Sequence, residues 1–182
     1  MRLFVGIGLP RYLKESLSEI QEEQRPGINW TPSGNLHITL KFIGDWEDDQ
    51  LDPVIERLTA IENKSFHLPV SGCGAFPPPP RKNPHVVWVG LGNGHPHLFG
   101  LQRKVDHALA SLGIETDTRV FQPHITVGRC RSNAGESVRQ WLKANRDAEF
   151  PPFRVQYFTL YQSRPSLKGR QYQPLETFPL EA

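Results

Sequence analysis

The amino-acid sequence predicts an α+β fold, a single domain made of two similar lobes of antiparallel sheet and helices. The first observation is an internal duplication, since residues 1–76 and 85–161 repeat the same order of elements. The second is that short stretches of alternating apolar residues are separated by stretches with apolar residues at helical spacing. The third is that no glycine-rich phosphate loop joins a strand to a helix, which disfavours a parallel doubly wound sheet. A repeat this long that occurs twice favours two lobes facing each other across a cleft over a solenoid.

The first half is predicted to have the order βαβαβ. Residues 3–9 alternate as a strand, and Pro10 then stands at the start of a helix that ends at Pro26-Gly27. The second strand contains NLHITLKFIG, the second helix covers about residues 51–61, and the last strand covers 66–70. The apolar faces of the two helices carry Leu13, Leu17 and Ile20, and Leu51, Val54, Ile55, Leu58 and Ile61.

The second half repeats this order after the loop FPPPPRKNP, where Arg81 and Lys82 are expected to be solvated. The predicted strands are HVVWVGLG, FQPHITVGRC and FRVQYF, and one closing strand lies within residues 170–178. Gly90, Gly92 and Gly94 fit a strand end and a turn, not a nucleotide cradle. The two predicted helices carry Leu98, Leu101, Val105 and Leu109, and Val138, Trp141 and Leu142.

Composition limits the kinds of ligand and location. The 182 residues include 21 basic and 19 acidic side chains and 37% hydrophobic residues, which excludes disorder and any large positive field. An anionic ligand must therefore be held by a local site, which favours a small phosphate over a long duplex. The N-terminal apolar run is too short for a signal peptide, and Cys73 and Cys130 have no C-x-x-C spacing. We expect a cytoplasmic, monomeric protein without a membrane segment or an obligate protein partner.

The duplicated motif His-Ile-Thr is the strongest candidate for chemistry. It occurs as His37-Ile-Thr-Leu40 and as His124-Ile-Thr-Val127, and FVGIG near the N-terminus has a counterpart in WVGLG. Because side chains alternate along a strand, each histidine shares one face with its threonine, while the intervening apolar residue enters the core. A duplication would also copy a structural histidine. The flanking segments have diverged to LKFIGD and GRCRSN, whereas the motif stands in both copies, which favours a functional role.

Two imidazoles and two hydroxyls facing one cleft suit the cleavage of a phosphodiester. One neutral imidazole takes a proton from the attacking water, and one imidazolium gives a proton to the leaving oxygen. The usual histidine pKa of about 6.5 makes both protonation states accessible near neutral pH. The threonine hydroxyls are donors for the nonbridging phosphate oxygens.

The motifs and their flanks resemble a known family. NLHITLKFIG, FQPHITVGR, the opening RLFVGIGLP and the closing TLYQSRPSLKGRQYQPL are similar to the two-histidine phosphoesterases, specifically the RNA 2′,3′-cyclic phosphodiesterase group, also called 2′-5′ RNA ligases. The resemblance spans nearly the whole chain. It implies a bilobal α+β fold, a cleft between the lobes, no metal or other cofactor, and opening of a 2′,3′-cyclic phosphate to a 2′-phosphate at RNA 3′ ends or on small cyclic nucleotides.

The resemblance also implies roles for individual residues. His37 would be the proton donor to the departing 3′-oxygen, and His124 the acceptor that activates water. Thr39 and Thr126 would bind phosphate. Arg129 matches a further phosphate-binding position, although strict strand alternation places it on the far face. Phe42 is its counterpart in the first lobe and would stack on a base, with a core aromatic as the alternative.

Three other functions remain open from the sequence. A metal-binding module is disfavoured because His37 and His124 lack a third ligand at regular spacing, and His95-Pro-His97 lacks a carboxylate or cysteine companion. A noncatalytic RNA-binding protein would need no histidine pair. Ligation that forms a 2′-5′ linkage is the reverse reaction at the same residues, and hydrolysis is favoured over it because water is abundant.

Overall fold

The structure, a computed structural model, describes residues 1–21, 24–78, 83–92, 96–167 and 169–182. It is a mixed α/β fold with antiparallel strands and four α-helices in the described residues, which confirms the predicted fold class. The strands are β1 (Arg2–Gly8), β2 (Ile28–Trp30), β3 (His37–Asp45), β4 (Phe66–Ser71), β5 (Cys73–Phe76), β6 (Val86–Val89), β7 (Ile125–Cys130), β8 (Glu149–Val155), β9 (Tyr157–Ser166) and β10 (Gly169–Pro179). The helices are α1 (Arg11–Ser18), α2 (Leu51–Thr59), α3 (Pro96–Ala110) and α4 (Gly135–Asn145).

The main sheet has eight strands, in the order β10-β9-β1-β3-β7-β6-β5, with β2 added to β7. Its two parts meet between β3 and β7, where a single register pair, Ile38 with Ile125, joins them. We call the strands β10, β9, β1 and β3 the first lobe, and β7, β6, β5 and β2 the second lobe. A separate antiparallel pair, β4 with β8, completes the fold. Away from this pair, β3 pairs with β1, and β7 pairs with β6 and β2.

Each lobe combines strands from both halves of the sequence. β5 lies within residues 1–76 but pairs with β6, while β9 begins within residues 85–161 but pairs with β1. The helices follow the same exchange, since α3 contacts β3 and α4 contacts β5. The division into repeats 1–76 and 85–161 is therefore a division of the sequence, and it stays a prediction.

The core lies between the sheet and the helices. Most helix residues that the sequence assigned to apolar faces are buried, namely Leu13, Leu17, Val54, Leu58, Leu98, Leu101, Val105, Leu109, Val138, Trp141 and Leu142. Ile20, Leu51, Ile55 and Ile61 are only partly buried and pack against this core. Pro10 precedes α1 as expected for a residue with fixed φ and no backbone N–H. The helix α3 is followed by Gly113 at φ 82°, a left-handed conformation in which glycine has no Cβ clash.

Several predicted boundaries are wrong. The segment FRVQYF is not one strand: β8 ends at Val155, and β9 begins at Tyr157 in another sheet. Val155 and Phe158 are both buried, and their spacing cannot place them on one face of a single alternating strand. The α-helix after Pro10 ends at Ser18, followed by a 3₁₀ turn Glu19–Gln21, and does not reach Pro26-Gly27. The short strands β2 and β5 were not predicted, because their few residues carry no alternation signal.

Some predictions fall outside the described residues, namely those on Arg81, Lys82, Gly94 and His95. The two cysteines are free and partly buried, and burial raises the pKa of the Cys73 thiol to about 12. No α-helix in the described part of the chain is long and apolar enough to cross a membrane.

Candidate active site

The structure brings the two His-x-Thr motifs to one cleft of about 560 Å³ at the join of the lobes. Ile38 and Ile125, the intervening residues, are fully buried, as the sequence predicted. Their pairing is antiparallel, so the two motifs run past each other in opposite directions. The cleft is lined by all four motif side chains and by both further candidates, namely His37, Thr39, His124, Thr126, Arg129 and Phe42.

The two imidazoles are oriented in the same way. Nδ1 of His37 lies 2.6 Å from the carbonyl oxygen of Asn35, and Nδ1 of His124 lies 2.7 Å from that of Gln122. A carbonyl only accepts, so Nδ1 carries the hydrogen and donates it in both residues. In the neutral ring, Nε2 is then the basic nitrogen, and in the charged ring it is the second donor. Both histidines therefore direct their exchangeable proton to Nε2.

The surroundings of the two Nε2 atoms differ. Nε2 of His37 lies 2.9 Å from Oγ1 of Thr39, so in the neutral ring it accepts the threonine hydroxyl hydrogen. Among the described residues, no hydrogen bond is formed by Nε2 of His124. The second imidazole is thus the one whose basic nitrogen is open to a water molecule.

The surroundings favour the neutral form of both histidines. The pKa of His37 is lowered from 6.5 to about 4, first by burial and then by the nearby charges of Arg129, Lys14 and, when it is protonated, His124, against the raising effect of the hydrogen bond to the Asn35 carbonyl. Burial also lowers the pKa of His124. A bound phosphate anion acts in the opposite direction, because an opposite charge within a few ångström favours the imidazolium. The site is therefore arranged to gain a proton together with an anionic ligand.

A β-bulge explains the position of Arg129. Along β7, Trp88 pairs with Thr126 and Val87 pairs with Gly128, so Val127 has no partner of its own. The extra residue reverses the alternation of side chains, and Val127 and Gly128 are both buried. Arg129 consequently lies on the same face as Thr126, and the sequence-based expectation that it points to the far face is wrong.

The first lobe has the corresponding bulge in β3. Val5 pairs with Lys41 and Gly6 pairs with Thr39, so Leu40 is the extra residue. Lys41 is turned into the protein, where its ammonium lies 2.6 Å from the Asp106 carboxylate and donates to the Glu115 carbonyl at 2.6 Å. Phe42 is turned into the cleft and is 72% exposed, so the alternative of a core aromatic is wrong.

Aromatic rings surround both histidines. In the first lobe, Phe4 lies 4.9 Å and Tyr172 lies 5.1 Å from the ring of His37, and Tyr161 stacks on Phe4 at 5.0 Å. In the second lobe, Phe76 lies 5.1 Å from His124 at an angle of 78°. These rings cover part of both imidazoles and so contribute to the burial that lowers their pKa values.

A glycine permits the close packing next to His37. A Cβ on Gly6 would lie 2.7 Å from the carbonyl oxygen of Ile38 and 3.5 Å from Cδ2 of His37. The strands β1 and β3 approach each other here because Gly6 has no side chain. The residue is part of the FVGIG segment that the sequence duplicates.

Further cleft residues had no signal in the sequence. Arg2, Phe4, Ser163, Arg170 and Tyr172 also line the cleft, and they come from the three strands β1, β9 and β10. Their proximity depends on the pairing of β9 with β1, which joins residues from opposite ends of the chain.

In the described ranges, no group of three or more histidine, cysteine, aspartate or glutamate side chains is arranged to hold a metal ion.

Comparison with known proteins identifies the family of the chain. The sequence model of the LigT like phosphoesterase family matches residues 7–88 and 90–169, each of which contains one motif. The chain is similar to the RNA 2′,3′-cyclic phosphodiesterase of Archaeoglobus fulgidus, with 33% identity over 98% of this chain and 99% of the relative. It is also similar to the RNA 2′,3′-cyclic phosphodiesterase of Aquifex aeolicus, with 31% identity over 98% of this chain and 96% of the relative.

Solved structures show the same fold. The protein TT0787 of Thermus thermophilus superimposes with a TM-score of 0.79 and 26% identity, covering 98% of this chain and 97% of that one. LigT of E. coli in complex with 3′-AMP superimposes with a TM-score of 0.79 and 25% identity, covering 98% and 97%. The family match covers both motif-bearing segments, and the relatives align over nearly the full length, so the chain belongs to the LigT-like phosphoesterase family.

Proposed function

We propose that this protein hydrolyses the 2′,3′-cyclic phosphate at the 3′ end of RNA to a 2′-phosphate, without a metal ion. The observation that carries the proposal is the pair of imidazoles, each with Nδ1 fixed by a carbonyl, that face one cleft together with two threonines and an arginine. The activity named for the relatives and the 3′-AMP in a structural neighbour support this class of substrate.

Thr39, Thr126 and Arg129 hold the phosphate. The two hydroxyls donate to nonbridging oxygens, one from each lobe, and the guanidinium supplies several donors and a fixed positive charge. All three side chains already line the cleft. The Thr39 hydroxyl, which donates to Nε2 of the neutral His37, becomes free to donate to the phosphate once that nitrogen is protonated. The bulge in β7 matters here because it directs Arg129 into the same space as Thr126.

The histidines divide the proton transfers. His124, whose Nε2 is open, takes a proton from water as the water oxygen attacks phosphorus. His37 gives its Nε2 proton to the 3′-oxygen as the bond from that oxygen to phosphorus breaks. The products are a 2′-phosphate and a 3′-hydroxyl, and one proton has passed from His37 to the product and one from water to His124. His37 must carry a proton in the substrate complex, and the bound phosphate anion favours this charged form because an opposite charge raises the pKa of an imidazole.

Changing the leaving group tests this division. A diester with a nitrophenolate leaving group needs no proton from an acid, so His37→Ala should recover much of the activity lost on a natural cyclic phosphate. His124→Ala still lacks its base and should recover little. The control is His67→Ala, which removes an exposed histidine of β4 outside the cleft. Product isomers are identified by chromatography of an oligoribonucleotide ending in a 2′,3′-cyclic phosphate.

Two results would contradict the proposal. Equal recovery of both variants would refute the separate roles, and recovery of His124→Ala alone would reverse them. Adding a metal chelator to the assay tests the metal-free mechanism, and the rate of hydrolysis should be unchanged. Loss of activity that a divalent ion restores would refute this mechanism.

We also propose that the protein acts as a monomer in the cytoplasm. One chain supplies both histidines and every phosphate ligand named above. The free thiols of Cys73 and Cys130 suit a reducing compartment. Sedimentation of the purified protein at micromolar concentration tests the first part, with a dimer as the contradicting result.

A further inference from the structure

A polar row lies in the first lobe beyond the catalytic pairs. Arg2, Ser163 and Arg170 line the same cleft as His37 and Thr39. The strand pairing places them side by side, since Arg2 of β1 is in register with Ser163 of β9. In the described part of the chain, no carboxylate forms a salt bridge with either arginine. Asp45, the register partner of Arg2 on β3, borders a separate pocket with Trp46 and not this cleft.

Arg170 is held in place without using all of its donors. Its Nε donates to Oγ of Ser163 at 2.9 Å, and Nη2 donates to the carbonyl oxygen of Ser163 at 3.0 Å. The remaining guanidinium N–H groups take no part in these two bonds and can donate to a ligand. The Ser163 hydroxyl accepts in the first bond, so its own hydrogen is also free to be donated. Such a fixed fork loses little conformational entropy when an oxyanion binds.

Asn35 fixes the distance between this row and the acid. Its Nδ2 donates to the carbonyl oxygen of Arg170 at 2.7 Å, and its Oδ1 accepts from the backbone N–H of Tyr172 at 3.3 Å. The backbone carbonyl of the same residue orients His37. Asn35 thus holds both the ring of His37 and the strand that carries Arg170.

The phosphate site and the polar row lie at two levels of the same cleft, with aromatic rings between them. Gly6 is opposite Thr39 in the sheet, and the strand from Gly6 to Arg2 extends roughly 13 Å at ~3.3 Å per residue. Phe4 and Phe42 lie between these levels, with ring centroids 6.1 Å apart, and the exposed Phe42 offers a face for a base. In a terminal nucleotide, the 5′-phosphate lies on the other side of the nucleoside from the cyclic phosphate.

We propose that Arg2, Ser163 and Arg170 form a subsite for the phosphate on the 5′ side of the terminal nucleoside. This subsite makes an RNA end, or a nucleotide with a 5′-phosphate, a better substrate than a nucleoside 2′,3′-cyclic phosphate with a free 5′-hydroxyl. With a net charge of only +2, the protein has no general field that would attract every anion equally. The inference rests on the proposed function and specifies its substrate.

The test compares three substrates that differ on the 5′ side: adenosine 2′,3′-cyclic phosphate, the same compound with a 5′-phosphate, and the dinucleotide that ends in a cyclic phosphate. The wild-type kcat/KM should rise by about tenfold or more from the first to the other two, as expected for one charge-assisted hydrogen bond. Arg2→Gln and Arg170→Gln should abolish most of this difference and leave the first substrate nearly unaffected. Arg164→Gln is the matched control, because it removes a neighbouring exposed arginine of β9 that does not line the cleft.

Binding of unreactive ligands separates this inference from the catalytic proposal. Calorimetry with adenosine 2′-phosphate and adenosine 2′,5′-bisphosphate should show about tenfold tighter binding of the bisphosphate, lost in Arg2→Gln and Arg170→Gln but kept in Arg164→Gln. Equal binding of the two ligands, or an equal loss with all three variants, would overturn the subsite even if the enzyme is active. If the protein hydrolyses none of the cyclic phosphates but still binds the bisphosphate more tightly, the proposed reaction is refuted and the subsite is not.

Discussion

The burial of His37 predicts a specific loss of stability in acid, which His37→Gln should remove. The folded protein holds this imidazole with a pKa of about 4, lowered from 6.5, because aromatic side chains and nearby cations disfavour its charged form. The unfolded chain has no such environment and binds a proton near the ordinary pKa. Protonation therefore favours the unfolded state as the pH falls from 6.5 toward 4, and the effect is constant below that range.

The magnitude follows from the two pKa values. At about 1.4 kcal/mol for each pKa unit, lowering the pKa from 6.5 to about 4 corresponds to a total of about 3 kcal/mol. By pH 5, about 2 kcal/mol of this is lost. Glutamine is neutral throughout, so the difference in the free energy of unfolding between the wild-type protein and His37→Gln should shift by about 2 kcal/mol in favour of the variant between pH 7.5 and pH 5.

Urea denaturation at fixed ionic strength measures this difference. The experiment uses the shift with pH and not the absolute values, because the substitution also changes packing and other groups titrate in both proteins. His67→Gln is run beside it as a surface histidine on β4. A wild-type-minus-variant difference that stays constant from pH 7.5 to pH 5 would refute the inference that burial keeps His37 neutral.

Two further predictions concern catalysis. Thr39→Val and Thr126→Val keep a β-branched shape but remove a donor to the phosphate, so each should lower kcat by roughly a hundredfold in steady-state assays, as for one lost oxyanion donor; unchanged rates would show that these hydroxyls do not contact phosphate. Because the pKa values of both histidines are lowered in the free protein and the anionic substrate raises them, the optimum of kcat should lie at higher pH than the optimum of kcat/KM. Coincident optima in the two pH profiles would contradict that effect of the phosphate. The rising and falling sides of each profile report the two histidines as a coupled pair and not one residue each.

Much of the active site was predictable because its chemistry is local in sequence. His37 and Thr39 share a face by strand alternation alone, and Ile38 between them must enter the core. The same reasoning applies to His124 and Thr126, and the duplication of the motif drew attention to both pairs. The helices were predictable for a similar reason, since the spacing of Leu13 and Leu17 already defines a buried face.

Other features depended on contacts that alternation does not describe. A bulge adds one residue to a strand according to how its neighbour pairs, so the sequence of β7 by itself could not show that Arg129 turns into the cleft. The single strand predicted for FRVQYF is divided between two sheets for a related reason. Val155 is buried and pairs with Phe66 in one sheet, whereas Phe158 is buried and pairs with Phe178 in the other.

The sequence by itself determined the fold class, the two His-x-Thr pairs and the apolar residues between them that enter the core. Periodicity and motifs are properties of neighbouring residues, so they can be seen in the sequence alone. Only the tertiary structure decided which side chains share the cleft with those pairs. Arg2 and Arg170 stand near opposite ends of the chain and meet through the pairing of β1 with β9 and of β9 with β10. This arrangement is fixed by long-range strand pairing, and which strands pair depends on packing between distant residues and not on any local pattern in the sequence.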